Sequence, residues 1–386
     1  MKRRVAILGA TGSIGRSTLD LIEAAPEQFE VVAMTAAANV QQLAADARRT
    51  DARLAVIADE ALLPELREAL SGTNIHAAAG ITALAEAAAG EAEFVMAAIV
   101  GCAGLEPVMA AVDAGKTVAL ANKEALVTAG DLMIDAARRS GATLLPVDSE
   151  HNAIFQCLAG QDRDRVARLI LTASGGPFRT FSADQMARVT PEQAVAHPNW
   201  SMGAKISVDS ATMMNKGLEL IEAHHLFGLP SERIDIMVHP QSIVHSLVEY
   251  QDGSMLAQLG PSDMRVPIAH TLAWPRRMET RVQRLDLVAV GRLDFEAPDE
   301  QRFPALRLAR RALQEGGAAP VILNAANEIA VAAFLDRRIH FPDIVGLVEQ
   351  LLETMNEAAP RSISDVIELD RRTRAAAERQ VPELAA

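Results

Sequence analysis

The chain has 386 residues and a formal net charge of -13 at pH 7, with 50 Asp and Glu against 37 Lys and Arg. Its length predicts two or three domains, and 49% hydrophobic residues suffice for a sizeable core. The negative charge argues against general nucleic-acid binding, because phosphate backbones require basic surfaces, but a few local lysines can still hold a small anion.

Short apolar runs alternate with helical patterns over the first 150 residues. The apolar runs cover 5–8, 30–34, 54–58, 94–100, 117–120 and 143–147, with helical segments at 40–49, 62–70 and 125–139. This alternation predicts βαβ units and a parallel sheet, and strands that are apolar throughout fit a sheet covered on both faces. The expected fold class is α/β, beginning with a Rossmann-like dinucleotide-binding domain.

The pattern changes after Val147. Residues 166–173 predict a strand, 215–227 a helix, and 243–250 with 255–259 a β-hairpin. From Ala305 the pattern is helical, with a break near Pro320. The predicted domains are 1–147 for the dinucleotide, 148–274 (α+β) for catalysis with a lid loop, 275–304 as a connector and 305–386 as a C-terminal helical domain.

A glycine loop, GATGSIG, occupies residues 9–15 at the first strand-to-helix junction. Glycines let the backbone approach a pyrophosphate, and the helix N-terminus offers N–H groups to it. The second strand should end near the ribose, at 34–40. This segment has no acidic residue that could bind the 2′-hydroxyl of NAD, and no Arg or Lys that could bind the 2′-phosphate of NADP. It therefore does not decide between the two cofactors.

Two acids, Asp148 and Glu150, follow the last strand of the first domain, where α/β sheets bind ligands. In extended chain they point to the same side, which suits Mg²⁺ or Mn²⁺. The alternative is a pair of solvated loop acids that cap the next helix.

A second candidate segment spans 207–219. On a helix Asn215, Lys216 and Glu219 share one face, so the first two could grip a phosphate while Glu219 completes a three-carboxylate metal site. Glu222 lies on the same face, and geometry alone does not choose between the two acids. The alternative is a surface Lys–Glu pair.

Three loops carry further polar groups. Ser174 lies in a glycine turn that could form an anion nest or only a turn. Trp200 lies in a Pro/Gly loop, 197–203, that indicates a lid or an anchored structural loop. Residues 121–124 follow a strand and face the expected ligand crevice, unless Asn122 only caps a helix.

Two cysteines, Cys102 and Cys157, form neither a CxxC motif nor a secreted disulfide framework, which indicates a reducing compartment. The longest apolar stretch, 94–105, is far below the roughly 20 residues of a membrane span. The N-terminal apolar run is too short for a signal peptide. We therefore expect a cytoplasmic protein without nucleic-acid or membrane partners.

Together these segments resemble the 1-deoxy-D-xylulose 5-phosphate reductoisomerase family over essentially the whole chain. The resemblance runs through 9–15, 121–124, 147–152, 174–178, 197–203, 209–219, 239–242 and 324–328. It implies an NADPH-dependent enzyme that rearranges and reduces this sugar phosphate to 2-C-methyl-D-erythritol 4-phosphate in the non-mevalonate isoprenoid pathway. It further implies Mg²⁺ or Mn²⁺ and a homodimer.

The resemblance also implies roles for individual residues. NADPH would contact Thr11, Gly12, Ser13, Ile14, Ala37, Ala38, Asn39, Asn122, Glu124, Met202 and Gly203. The metal would be held by Asp148, Glu150 and Glu219, which resolves the choice against Glu222. The substrate would contact Lys123, Ser149, Glu150, Ser174, His197, Trp200, Ser210, Asn215, Lys216 and Glu219. Catalysis would involve Lys123, Glu150, His197 and Glu219, under a lid of Trp200 and Met202.

One departure concerns Ala38, where family members often carry a basic residue for the 2′-phosphate. This departure affects the expected preference for NADPH over NADH and not the reaction.

Two other functions share part of this pattern. Aspartate-semialdehyde dehydrogenases share the opening Gly-Ala-Thr-Gly but need a catalytic cysteine, and neither cysteine here has a convincing nucleophile setting. A dinucleotide-sensing protein without catalysis is disfavoured by the clustered carboxylates.

Overall fold

The computed structural model describes residues 1–200 and 202–384, so that Ser201 and the last two residues lie outside the description. The chain forms two compact units, each built from separate segments. The first contains Met1–Leu126, Asp131–Asn152 and Asp263–Val282, and the second contains Val127–Gly130, Ala153–Ser262 and Gln283–Ala386.

Within the described residues, the first unit is built on a seven-stranded sheet in which every pairing is parallel. Its strands are β1 (Arg3–Leu8), β2 (Phe29–Ala36), β3 (Leu54–Ile57), β4 (His76–Ala79), β5 (Phe94–Ala97), β6 (Thr117–Leu120) and β7 (Thr143–Pro146). The order is β4-β3-β2-β1-β5-β6-β7. The strands β2, β3 and β4 are added on one side of β1, and β5, β6 and β7 on the other side. The strand order therefore reverses between β1 and β5, and sheets of this kind bind ligands at such a switch point.

Helices follow the strands along the chain. They are α1 (Ser13–Ala24), α2 (Val40–Thr50), α3 (Leu63–Ala69), α4 (Ile81–Ala89), α5 (Leu105–Asp113), α6 (Lys123–Ser140) and α7 (Ser149–Cys157). The sequence explains the bounds and the buried face of α1. The helix begins after Gly12, buries Leu19 and Ile22, and ends before Pro26. The predicted α/β fold with a parallel sheet is confirmed.

One strand of the seven-stranded sheet was missed by the sequence analysis. The strand β4 has the sequence His-Ala-Ala-Ala, lies at the sheet edge and is only partly buried. It lacks the β-branched and aromatic residues that identify a strand, because an edge position does not have to fill a core.

The second unit contains a four-stranded mixed sheet among the described residues, in the order β11-β10-β8-β9. Its strands are β8 (Val166–Ala173), β9 (Ile234–Val238), β10 (Val244–Tyr250) and β11 (Met255–Leu259). The strand predicted at 166–173 is confirmed, and so is the hairpin, because β10 pairs antiparallel with β11. The strand β9 was not predicted.

The remaining helices complete the chain. They are α8 (Ala183–Met186), α9 (Pro191–Val195), α10 (Ala204–Thr212), α11 (Met214–Phe227), α12 (Arg265–Ala273), α13 (Leu287–Val290), α14 (Ala305–Glu315), α15 (Ala319–Leu335), α16 (Phe341–Thr354) and α17 (Ile363–Leu384). Of these, α12 belongs to the first unit and the others to the second. The predicted C-terminal helical region is confirmed, with α15 packed against α16 and α17.

No helix among residues 1–200 and 202–384 combines the length and the apolar character needed to cross a lipid bilayer.

Candidate active-site residues

The glycine loop lies between β1 and α1, at the switch point of the sheet. Thr35 of β2 holds this loop, since Gly9 N–H donates to its Oγ1 at 3.0 Å and Ala10 N–H donates to its carbonyl at 2.7 Å. A Cβ on Gly15 would lie 2.4 Å from the Gly9 carbonyl oxygen, so only glycine lets α1 approach the loop. The N-terminus of α1 is thereby fixed where it can receive an anion, with Gly12 and Ser13 exposed and Thr11 and Ile14 beside them.

The end of β2 carries Ala37, Ala38 and Asn39, all exposed. Asn39 caps α2, because its Oδ1 accepts a hydrogen bond from Gln42 N–H at 3.1 Å. That cap uses the side-chain oxygen of Asn39 and not its Nδ2 group. Ala37 and Ala38 bring no positive charge to this segment.

Polar residues at the end of β6 are buried, although they follow a strand that opens onto the ligand-binding edge. Asn122 accepts from Ala125 N–H at 3.0 Å and donates to the Gly101 carbonyl at 2.9 Å. The predicted alternative of helix capping by Asn122 is therefore confirmed. Lys123 pairs with Asp148 through an Nζ–Oδ2 distance of 2.9 Å, and Glu124 follows it in the first turn of α6.

Asp148 and Glu150 lie at the start of α7 and not in extended chain, so the reason given for their convergence was wrong. Asp148 Oδ1 accepts from Glu150 N–H at 3.2 Å, and Ser149 Oγ donates to Glu150 Oε2 at 2.5 Å. The two acids still converge, because each offers a carboxylate oxygen within 4.8 Å of the other. The helix turn brings them together, and the Asp148 side chain caps it, as the alternative interpretation expected.

In the second unit, Ser174 follows β8 in a tight glycine turn. Its Oγ accepts from Gly176 N–H at 3.1 Å and lies 2.9 Å from His197 Nε2. Gly176 has a φ of +67°, and a Cβ there would lie 2.6 Å from the backbone oxygen of Ser210 in α10. The turn therefore packs directly on α10, and Ser174 and Ser210 lie close together.

The first turn of α11 carries Asn215 and Lys216. It follows Met213, whose left-handed φ of 64° separates α10 from α11. Asn215 Nδ2 donates to Glu219 Oε1 at 2.5 Å, and Lys216 Nζ pairs with Glu219 Oε2. The Lys–Glu pair considered from the sequence exists, but it is buried and not a surface pair. A buried lysine at the N-terminal turn of a 14-residue helix is a strong anion site.

His197 organises the described residues that follow it in the loop 197–203, of which Ser201 lies outside the description. Asn199 N–H and Trp200 N–H both donate to its Nδ1, at 3.2 and 3.0 Å. Because Nδ1 accepts, the proton of the neutral ring lies on Nε2, which donates to Ser174 Oγ. The Trp200 ring lies 6.0 Å from that of His245, Met202 is half-buried, and Gly203 caps α10.

Burial lowers the pKa of His197 below its ordinary value of 6.5. The neutral ring, and with it the loop conformation, is thus present above that ordinary value and lost as the pH falls through the lowered pKa. We expect the affinity for inorganic phosphate to fall on acidification with a midpoint below 6.5, in binding titrations over a pH series. His197→Gln should keep only the titration of the phosphate itself. An affinity that rises on acidification in the unaltered protein would show instead that an imidazolium binds the phosphate.

Two residues of this region were missed by the sequence analysis. Thr35 holds the glycine loop. The feature of the sequence that could have identified it is a hydroxyl residue near the end of an otherwise apolar strand. Asn199 bridges its loop to the turn after β9, because its Nδ2 donates to Pro240 O at 2.6 Å and Ser242 Oγ at 3.0 Å. No local pattern reveals that bridge, since its partners lie more than 40 residues away.

Sequence models of one family match three segments of the chain. The model described as 1-deoxy-D-xylulose 5-phosphate reductoisomerase matches 5–130, the model of its C-terminal domain matches 144–227, and the model described as DXP reductoisomerase C-terminal domain matches 259–376.

Curated relatives and solved structures agree with these matches. The reductoisomerase of Zymomonas mobilis is 62% identical over 372 residues, covering 96% of each chain, and that of Gluconobacter oxydans is 57% identical over 98% of this chain and 93% of its own. The solved Zymomonas mobilis enzyme, in complex with NADPH, superposes with a TM-score of 0.94 at 59% identity, covering 100% of this chain and 99% of its own. A reductoisomerase in complex with NADPH, fosmidomycin and magnesium gives 0.94 at 45% identity over 98% of both chains.

Proposed function

This chain belongs to the 1-deoxy-D-xylulose 5-phosphate reductoisomerase family, and on that premise we propose that it converts this sugar phosphate to 2-C-methyl-D-erythritol 4-phosphate. It is an NADPH-dependent oxidoreductase that uses Mg²⁺, and we propose that Mn²⁺ can take the place of Mg²⁺. The observation that carries the proposal is agreement with the family along nearly the whole chain. Phosphorus NMR of the product made from the sugar phosphate and NADPH tests it, and any product other than the branched erythritol phosphate would overturn it.

The metal ligands are proposed to be Asp148, Glu150 and Glu219. Carboxylate oxygens are the donors that Mg²⁺ and Mn²⁺ prefer, and the convergent pair in the first unit supplies two of them. The Glu219 side chain is buried, and its two carboxylate oxygens contact Asn215 and Lys216. When bound, the ion supplies a Lewis acid for the substrate's carbonyl and hydroxyl oxygens, and NADPH supplies the hydride.

The phosphate of the substrate is proposed to bind at the first turn of α11. The contacts are Ser174, Ser210, Asn215 and Lys216, with His197 bonded to Ser174. Lys216 provides a buried cation, and the helix N-terminus adds its dipole. Binding energy gained at this end, remote from the reacting carbons, supports closure of the loop that carries Trp200 and Met202 and excludes water from the site.

Lys123 and Ser149 are proposed to contact the hydroxyl end of the substrate. Both lie beside the carboxylate pair, since Lys123 pairs with Asp148 and Ser149 donates to Glu150. Lys123 is buried, and its ammonium offsets the repulsion between converging acids. It can therefore orient a substrate oxygen near these carboxylates.

NADPH is proposed to lie along the loop of Thr11, Gly12, Ser13 and Ile14, beside Ala37, Ala38 and Asn39, with Asn122, Glu124, Met202 and Gly203 as further contacts. Because Ala38 contributes no cation, we predict a modest preference for NADPH over NADH. Ala38→Lys should tighten NADPH binding about tenfold by adding a charge-assisted contact to the 2′-phosphate. Fluorescence titration with both cofactors measures this effect, and an equal change for NADH would contradict it.

A homodimer is proposed through the edge strand β11. Met255 and Leu256 are 45% and 39% exposed there, and an exposed apolar edge is a site for strand pairing. Leu256→Lys should shift the protein to monomer by light scattering, whereas Ile81→Lys, on the exposed surface of α4, should not. An unchanged mass for Leu256→Lys would place the interface elsewhere.

The location and the domain division are also proposals. The two cysteines form neither a CxxC motif nor a secreted disulfide framework, which agrees with a reducing cytoplasm. Residues 1–147 are proposed to bind the cofactor, 148–274 the metal and substrate, 275–304 to connect, and 305–386 to form the helical domain. The dehydrogenase alternative is not favoured, because burial raises the pKa of Cys157 to about 11, which suppresses the thiolate that a nucleophile needs.

A further inference from the structure

Asp209 is a buried carboxylate to which the proposed reaction assigns no role. It lies in α10, immediately before Ser210, and its side chain is fully buried. A charge in this environment is costly unless hydrogen bonds and an ion pair compensate it.

Two partners compensate the Asp209 charge, one from the helix α15 and one from α10 itself. Asn327 of α15, itself fully buried, donates its Nδ2 to Asp209 Oδ1 at 2.8 Å. Lys205, one turn earlier in α10, pairs with Asp209 Oδ2 at 2.8 Å. Asp209 therefore ties the beginning of α10 and the helix α15 to a single carboxylate.

The helix α10, which Asp209 holds in place, adjoins the residues that are proposed to bind the phosphate. The helix has only nine residues, too few for stability of its own, so contacts with its neighbours must hold it. It begins where the lid loop ends, at Gly203, and it is followed by Met213 and the phosphate-binding turn of α11. The Ser210 backbone oxygen also abuts the Gly176 turn that carries Ser174.

We propose that Asp209 is a positioning residue for the phosphate of the substrate. By anchoring α10 to α15 through Asn327, and by holding Lys205 in the first turn of α10, it fixes Ser210 against the Ser174 turn. The inference rests on the proposed phosphate site, and it concerns a group that acts only through its neighbours.

Asp209→Asn tests the proposal, because it keeps the size of the side chain and removes the charge that holds Lys205. We expect the KM for the sugar phosphate and the inhibition constant of inorganic phosphate to rise together by about tenfold. The kcat and the KM for NADPH should stay within about twofold, since at saturating substrate the phosphate is bound in both proteins and the loop can close over it. A defect that is only structural would lower the active fraction without moving the two constants in parallel.

Rescue and control variants sharpen the test. The double variant Asp209→Asn with Asn327→Asp returns a carboxylate to the contact between α10 and α15 but not to the contact with Lys205, and it should recover part of the phosphate affinity. Asp370→Asn is the matched control, because Asp370 is a buried acid of the same unit paired four residues away with Arg374 at 2.6 Å. It should lower the melting temperature and leave the phosphate constants unchanged. If Asp209→Asn does not fold, Lys205→Met carries the same prediction.

The outcomes separate this inference from the proposed function. Unaltered protein that neither turns over the sugar phosphate nor binds inorganic phosphate would refute the proposed function itself. Active, phosphate-inhibited unaltered protein alongside a folded Asp209→Asn with unchanged constants would refute the positioning role alone.

Discussion

Glu219→Gln should lower kcat/KM for the sugar phosphate by about a thousandfold or more, because it removes a charged ligand that stabilises the metal by several kcal/mol. The glutamine keeps the shape of the side chain and can still accept a hydrogen bond from Asn215 Nδ2, which bonds Glu219 at 2.5 Å. Turnover should therefore fail through metal binding and not through unfolding. Mn²⁺ titration by electron paramagnetic resonance, run beside the NADPH oxidation assay, measures both quantities.

Glu222→Gln provides the matched control for this prediction. Glu222 lies one turn further along α11, is equally buried, and was the competing candidate on the same helix face. Its replacement should leave the Mn²⁺ titration unchanged. A near-normal rate for Glu219→Gln at saturating metal would contradict the assignment, and loss of metal binding in Glu222→Gln would transfer the ligand role to that residue.

Lys216→Met should raise the KM for the sugar phosphate by about a hundredfold, which corresponds to about 3 kcal/mol for the loss of a buried charge-assisted contact. The methionine retains much of the apolar stem, so that packing in the first turn of α11 is largely kept. Steady-state kinetics with the phosphorylated substrate measures the effect.

The non-phosphorylated sugar, 1-deoxy-D-xylulose, provides the control for Lys216. Since it lacks the group that Lys216 is proposed to hold, its weak turnover should change far less than that of the phosphorylated substrate. An equal loss for both sugars would mean that Lys216 acts through its contact with Glu219, and the phosphate assignment would then be wrong.

The sequence predicted those parts of the fold that depend on local patterns. The apolar runs located β1 and β8, and the hairpin of β10 and β11 was found from its turn residues. The strand β4 escaped because an edge strand of alanines carries no local signal. Glycine spacing likewise located the loop of residues 9–15, because close approach of α1 demands glycine at a fixed position.

Contacts between distant parts of the chain were beyond the sequence analysis. Residue types identified Asp148, Glu150 and Glu219 as metal-ligand candidates, but the helical turn that brings the first two together was mistaken for extended chain. The hydrogen bond from Asn327 to Asp209 joins residues 118 positions apart, and no pattern in either helix indicates it. Such pairings depend on how α10 and α15 pack, which periodicity alone does not specify.

The central claim is tested most directly by following NADPH oxidation with 1-deoxy-D-xylulose 5-phosphate in the presence of Mn²⁺, and again after addition of EDTA. Turnover that EDTA abolishes and added Mn²⁺ restores is the predicted result, because reaction, substrate and metal would then be established together. Folded, Mn²⁺-loaded protein that oxidises no NADPH with this substrate would contradict the account.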